Sequence, residues 1–278
     1  MYLAHFGLTE LPFGITPDTQ FIYAGKSHQS ALNTLLVAYK SGAGFVKITG
    51  EVGAGKTLLC RRFLATLDKN TVAAWIPNPM QAPAALLASV AEELGAELGE
   101  HPAFLIKSIN RRLIELAAEG KNALVCIDEA QTIPPLTMEA LRLLSNLETE
   151  KRKLLQIVLF GQPELDERLA APSARQLLQR VVFHHVIAPL ARNELQAYLD
   201  HRMAIAGYRG LPVFQKGAVR LIHRHAHGTP RLINILAHKC LIAAWGGGRH
   251  QVTTALARRA IADTEGARPA RWWWRFAF

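Results

Sequence analysis

The sequence predicts an α/β protein: a parallel sheet with helices on both faces, followed by a small all-helical domain. Three observations predict it. Short apolar runs recur at Phe45–Thr49, Val72–Ile76, Ala123–Ile127, Leu154–Phe160 and Val181–Ile187, each too short for a helix. Between them lie segments of helical period, and strands alternating with helices make a parallel sheet, because parallel neighbours need crossover connections. After Pro189 the strand pattern stops and only helical spacing continues.

Residues 1–25, rich in aromatics, Pro and Gly, read as an irregular lead-in with short turns. Residues 26–41 place Ala31, Leu32, Leu35, Leu36 and Tyr39 at helical spacing. The strand Phe45–Thr49 runs into a glycine-rich turn and then a helix from Lys56 to Leu67. Val72–Ile76 is broken by the turn NPMQAP, and helices follow at Ala84–Leu94 and Ala103–Glu119. Ala123–Ile127 reads as a buried strand ending in Asp128 and Glu129. A helix fits Pro135–Glu148, and the strand Leu154–Phe160 ends in Gly161 and Gln162. Val181–Ile187 is the last strand, with His184 and His185 on opposite sides. Leu190–Ala206, Gln215–His225, Pro230–Trp245 and Thr253–Thr264 read as helices. The expected organisation is a lead-in over 1–25, a sheet domain over 26–189, a basic helical domain over 190–265 and a tail over 266–278.

At 278 residues, half of them hydrophobic, the chain is long enough for a sizeable core and unlike a disordered one. MYLAHFGLTELPFG lacks the basic and apolar regions of a signal peptide. The apolar stretch Leu232–Gly248 contains His238 and Lys239 and reads as a buried helix rather than a membrane span. Cys60, Cys126 and Cys240 are scattered without metal spacing, which suits core packing in a reducing compartment. His223, His225 and His227 bring no evident fourth metal ligand. Charge is uneven: residues 1–178 hold 17 Lys and Arg against 18 Asp and Glu, residues 179–278 hold 15 against 4. Such a skew suits a polyanionic partner, whether nucleic acid, anionic lipid or acidic protein, or a solvated basic face.

GEVGAGKT, Gly50–Thr57, follows a strand and opens a helix. In G-x-x-x-x-G-K-[ST] the glycines let backbone N–H groups converge on phosphate oxygens, and the helix adds its positive end. Lys56 reaches the β- and γ-phosphates, and the Thr57 hydroxyl ligates Mg²⁺. The expected nucleotide contacts are Gly50, Glu51, Val52, Gly53, Ala54, Gly55, Lys56, Thr57 and Leu58. Asp128, at a strand end, is placed to hold Mg²⁺ through water, and Glu129 to orient and deprotonate the attacking water. Val72–Ile76 falls between the loop and Asp128, so the two motifs are expected to flank further strand material. Glu129 and the lack of a guanine-reading N-K-x-D favour an ATP hydrolase over a GTPase. Gln162 is a candidate for the γ-phosphate or the water. Arg231, in HGTPRLIN, is a candidate to reach the γ-phosphate, and Arg180, Arg175 and Arg168 compete as an arginine finger for a neighbouring subunit.

These residues, with FGLTELPFGITPDTQFIY, VCIDEAQTIPPLTMEALRLLSNLET, QIVLFGQPELDERL and HGTPRLINILAHK, resemble the AAA+ ATPases of the ExeA/GspA group. The likeness covers roughly residues 1–262 and is nearest to the MshM-type members of mannose-sensitive haemagglutinin (MSHA) pilus biogenesis. The same core is similar to transposition regulators of the TniB and TnsC type. The resemblance implies a P-loop NTPase sheet with a helical lid, ATP and Mg²⁺ as ligands, and Gly50–Thr57 as Walker A. It implies Asp128 and Glu129 as Walker B, Gln162 as sensor 1, Arg231 as sensor 2, Arg180 as the finger, and Pro12–Phe13 near the adenine. ExeA-like members carry a transmembrane helix and a peptidoglycan-binding domain after the ATPase, and this sequence reads as the shorter MshM-like form.

The expected function is an oligomeric ATPase supporting assembly of a type IV (MSHA-like) pilus or a type II secretion system. It is expected to be cytoplasmic or peripheral on the inner membrane, with an inner-membrane assembly protein as partner. Trp272–Trp274, set between Arg271 and Arg275, suit a headgroup region or a partner's groove. The alternative is a DNA-dependent ATPase of the transposition type, supported by the basic C-terminal domain. An ATP-operated switch or scaffold with slow turnover is the blander reading.

Overall fold

The computed structural model describes residues 2–79, 82–148 and 153–267. The expected docking role of Trp272–Trp274 lies outside them, as do Met80 and Gln81 of the NPMQAP turn. In chain order, α1 (Leu3–Phe6) and a 3-10 turn (Thr19–Phe21) precede α2 (Lys26–Lys40), β1 (Phe45–Thr49), α3 (Lys56–Ala65), β2 (Thr71–Ile76), α4 (Pro83–Leu94), α5 (Pro102–Ala118) and β3 (Asn122–Ile127). A 3-10 turn (Ala130–Thr132), α6 (Pro135–Leu144), β4 (Leu155–Gly161), α7 (Glu164–Ala170), α8 (Arg175–Leu178) and β5 (Val181–Val186) follow. The remaining helices are α9 (Leu195–Ile205), α10 (Lys216–Ala226), α11 (Pro230–Gly246) and α12 (Thr254–Ala262). No helix among the described residues is long and apolar enough to cross a membrane.

Two compact units result. The sheet unit is His28–Glu51 with Lys56–Ile187; the helical unit holds residues through Ser27, Val52–Gly55 and residues from Ala188 onward. In the sheet unit, five parallel strands run in the order β2-β3-β4-β1-β5. Alternate strand residues face opposite sides. Val125, Ile127, Ile157 and Leu159 pack in one cluster with Leu87 and Val90 of α4, Ile109 of α5 and Leu141 of α6. On the other face Cys126 of β3 meets Cys60 of α3, both fully buried. The strand between β1 and β3 is β4, whereas β2, which precedes β3 in sequence, lies at the sheet edge. The carboxyl ends are held level: the Gly50 N–H donates to the Gly161 carbonyl at 3.1 Å, and the Asp128 N–H to the Ile76 carbonyl at 2.9 Å.

The helical unit has its own core, built from Leu199, Phe214, Ile222, Ile233, Leu236 and Leu256, which Tyr2, Phe6, Phe13 and Phe21 join. Residues 1–25 are therefore more than an irregular lead-in: they carry α1 and a 3-10 turn, and their aromatics bury enough surface to order them. Arg202 Nε donates to the Pro12 carbonyl at 2.6 Å, and Asn234 Nδ2 to the Gly14 carbonyl at 3.3 Å.

Several helices are shorter than their periodicity predicts, among them the one expected over Thr253–Thr264, which spans Thr254–Ala262, and at three of them side chains capture the backbone. The helix expected to Leu67 ends at Ala65, where the Thr66 hydroxyl donates to the Phe63 carbonyl at 2.6 Å. The helix expected to Glu148 ends at Leu144, where the Ser145 hydroxyl donates to the Arg142 carbonyl at 2.6 Å. The helix expected from Leu190 begins at Leu195. Upstream, the Leu190 N–H is bound to the Gly228 carbonyl at 2.9 Å, and the Glu194 carboxylate accepts the Ala191 N–H at 3.2 Å.

Gly228 sets the start of α11 and hence of Arg231. Its φ is +73°, and a Cβ there would stand 2.5 Å from the Leu190 carbonyl oxygen. Gly228→Ala combines left-handed strain with a clash against backbone, and is expected to destabilise the protein by about 1–3 kcal/mol, read as a lowered melting temperature.

Candidate functional site

The carboxyl ends of β1, β3 and β4 converge on a hydrogen-bonded group assembled from GEVGAGKT, DEAQ and the segment after Gly161. Lys56, the first residue of α3, is only 5% exposed. Its Nζ donates to the carbonyls of Gly50 at 2.8 Å and Glu51 at 3.1 Å, within its own loop. Burial lowers the Lys56 pKa, and the charges of Glu129, Asp128, Glu51 and Glu164 partly oppose that. A buried ammonium with one donor left over from two loop carbonyls suits an anion. The turn is shaped for close approach, with φ of +76° at Gly53 and +90° at Gly55.

Asp128 is 2% exposed at the end of β3. Its Oδ2 accepts the Thr57 hydroxyl at 2.5 Å and its Oδ1 accepts the Glu129 N–H at 2.9 Å. Burial raises the Asp128 pKa; both hydrogen bonds and the Lys56 charge pull it down, and the Glu129 charge adds to the rise. Two adjacent hard oxygens, one on a desolvated carboxylate, are the donor set that fits Mg²⁺. Thr57 Oγ1 and Asp128 would hold that ion, which would supply the charge neutralisation that phosphate oxygens need.

Glu129 has left-handed backbone, φ 49° and ψ 38°, unusual for a non-glycine residue. The strain is held by its N–H on Asp128 and by Thr132, whose hydroxyl donates to the Glu129 carbonyl at 2.8 Å. Glu129 Oε2 accepts from Gln131 Nε2 at 2.6 Å and from Gln162 Nε2 at 3.2 Å. The Gln162 N–H donates to Gln131 Oε1 at 3.0 Å. Gln131 thus bridges the Glu129 carboxylate and the end of β4.

Sequence reasoning missed Gln131. It sits on one 3-10 turn, too short for periodicity, yet a glutamine two residues after the D-E pair on a buried turn requires partners for its amide. Gln131→Leu removes a donor from Glu129 and leaves the Gln162 N–H without its acceptor. It is expected to lower kcat about tenfold, the scale of one hydrogen bond, with little change in KM in steady-state ATP turnover.

The other expected residues are placed as follows. In the helical unit the Arg231 N–H lies 3.3 Å from the Gly53 carbonyl, and a Cβ on Gly53 would meet Arg231 Cβ at 2.5 Å. The Arg231 side chain is exposed. Arg180 Nη1 donates to Ser145 Oγ at 2.6 Å and Arg168 Nη1 to the Ile133 carbonyl at 3.0 Å, so both bind their own chain. Arg175 is exposed at the start of α8. Phe13 is 2% exposed inside the helical core, its ring 5.8 Å edge-to-face from Phe214, and the Pro12 carbonyl accepts from Arg202 Nε. Val52 is exposed and Ala54 buried in the loop, and Leu58 is half-buried on α3. His223 and His225 bind the carbonyls of Leu190 and Ala267 at 2.9 Å each.

Comparison with known proteins bears on the family and the fold. An AAA domain family matches residues 39–169. General secretion pathway protein A of Aeromonas hydrophila is 38% identical over 275 residues, 98% of this chain, which spans half the length of that relative. The fold is similar to the Aeropyrum pernix ORC2 protein in its ADPNP–ADP complexes, with 19% identity, TM-score 0.64, and 91% of this chain and 73% of that one covered. Cdc6p of Pyrobaculum aerophilum gives 15% identity and TM-score 0.66 over 88% of this chain and 70% of that one. On its motifs, sheet and identity together, the chain belongs to the AAA+ P-loop proteins of the ExeA/GspA group.

Proposed function

We propose that the protein is a Mg²⁺-dependent ATPase whose cycle supports assembly of a type II secretion system or an MSHA-like type IV pilus. One observation carries the hydrolytic reading: Thr57, Asp128, Glu129, Gln131 and Gln162 form one continuous hydrogen-bonded array beside the buried Lys56. Lys56 binds the β- and γ-phosphates of ATP, and the N–H groups of Gly53–Thr57 cradle them. Glu129 Oε2 takes a proton from the attacking water, and Gln162 turns its amide toward the γ-phosphate or that water. Arg231, set by the HGTP turn against Gly53, reports the γ-phosphate to the helical unit. One of Arg180, Arg175 and Arg168 serves a neighbouring subunit of a homo-oligomer, which for Arg180 and Arg168 means leaving Ser145 or Ile133.

The secretion role is supported by the name and identity of the relative, general secretion pathway protein A. The implied partner is an inner-membrane assembly protein, with the chain on the cytoplasmic side. The basic C-terminal hundred residues favour a second reading, a DNA-dependent ATPase. Phosphate release measured at two salt concentrations, with anionic vesicles or with duplex DNA, separates them. Stimulation by vesicles, lost on deleting residues 271–278, supports the envelope reading. Stimulation by duplex alone, falling steeply with salt, replaces it with the second.

A further inference from the structure

The helical unit carries a groove of about 720 Å³ between the start of α9, the segment before α10 and α10 itself. Its cations are Arg192, Lys216 and Arg220, all exposed, and among the described residues no carboxylate lines it. None of the three is held in an ion pair among the described residues. The acids nearest in sequence are engaged. The Glu194 carboxylate accepts the N–H groups of Lys26 at 3.0 Å and Ala191 at 3.2 Å, and Asp200 accepts the Gln196 amide at 2.9 and 3.0 Å. The positive field at the mouth is therefore uncompensated locally.

Beneath the cations the groove is apolar. Phe214, Val219 and Pro212 line it, with Val219 between Lys216 and Arg220 on one face of α10. Amides edge it: Gln215 Nε2 donates to Gln251 Oε1 at 3.2 Å, leaving the Gln215 carbonyl oxygen and the Gln251 amino group for a ligand.

We propose that this groove docks an extended acidic segment of a partner protein, one that alternates carboxylates with apolar side chains. The carboxylates meet Arg192, Lys216 and Arg220, the apolar groups cover the floor, and the peptide backbone pairs with the amides. Duplex DNA fits less well, because its convex phosphate rails would touch the rim and leave the apolar floor against water. A bilayer needs apolar groups that project, whereas Phe214 and Val219 are recessed at 2% and 6% exposure. The chain's own final residues include Arg268, Arg271 and Arg275, the wrong sign for this groove. The proposal does not depend on ATP turnover.

The test is fluorescence anisotropy of a labelled eight-residue peptide of alternating Glu and Leu, titrated with the full chain at low salt. Octaglutamate, an alternating Lys–Leu peptide, a short DNA duplex and phosphatidylglycerol vesicles are run beside it. Saturable binding is expected, weaker by at least about tenfold in the double variant Lys216→Glu/Arg220→Glu and in Arg192→Glu, and within about twofold of wild type in Arg258→Glu. Arg258 is exposed on α12 outside the groove, and all these variants should keep the wild-type melting temperature. No saturable binding, or equal losses with Arg258→Glu, would overturn the proposal. So would octaglutamate binding as tightly as the Glu–Leu peptide, or duplex or vesicle binding that the double variant abolishes while the peptide fails to bind.

Discussion

Glu129→Gln is expected to lower steady-state ATP turnover by about 10²–10⁴-fold, the range for removing a positioned general base. Nucleotide affinity should stay close to wild type. The side chain keeps an oxygen where Oε2 accepts the amides of Gln131 and Gln162, so the array can persist around it. The backbone at φ 49° is fixed independently, by the Asp128 carboxylate and the Thr132 hydroxyl. What is lost is the ability to take a proton. Turnover and nucleotide affinity measured on one preparation separate this from general damage, which would lower both. Retained turnover would assign the proton to another group.

Lys56→Ala is expected to act one step earlier, weakening ATP binding by about 10–100-fold, the scale of a charge-assisted hydrogen bond to phosphate. Because burial already disfavours the ammonium, its loss should cost the folded state little, and the melting temperature should change by only a few degrees. Calorimetric titration with a non-hydrolysable ATP analogue checks the first point and a thermal melt the second. Unchanged affinity would mean that phosphates do not lie beside Lys56. A collapse in melting temperature would make the residue structural.

The two variants divide the site between binding and chemistry, and much of that division was legible in the sequence. GEVGAGKT and the D-E pair are contiguous, and each sits at the end of an apolar run, so a strand, a turn and a helix could be read around them. The parallel sheet followed from the same runs, although the order that places β4 between β1 and β3 did not. Periodicity describes a segment and not its neighbour. Helix ends were misjudged at Ala65, Leu144 and Leu195, where Thr66, Ser145 and Glu194 bind backbone that the apolar pattern leaves free. The helices α7 and α8 are too short to show a period. Gln131 escaped because its role depends on Gln162, 31 residues away. The N-terminal aromatics escaped for a larger version of the same reason: Arg202 is 190 residues from the Pro12 carbonyl it holds. Groups assembled across such distances leave no local signature.

Thr57, Asp128 and Glu129 are proposed to act as one cation-dependent hydrolytic centre. The decisive measurement is phosphate release from ATP by the unaltered chain, with excess Mg²⁺ and again after chelation of divalent cations. Release with Mg²⁺ that disappears on chelation and returns when Mg²⁺ is restored is the predicted result. Release that chelation leaves unchanged, or no release in either condition, would contradict it.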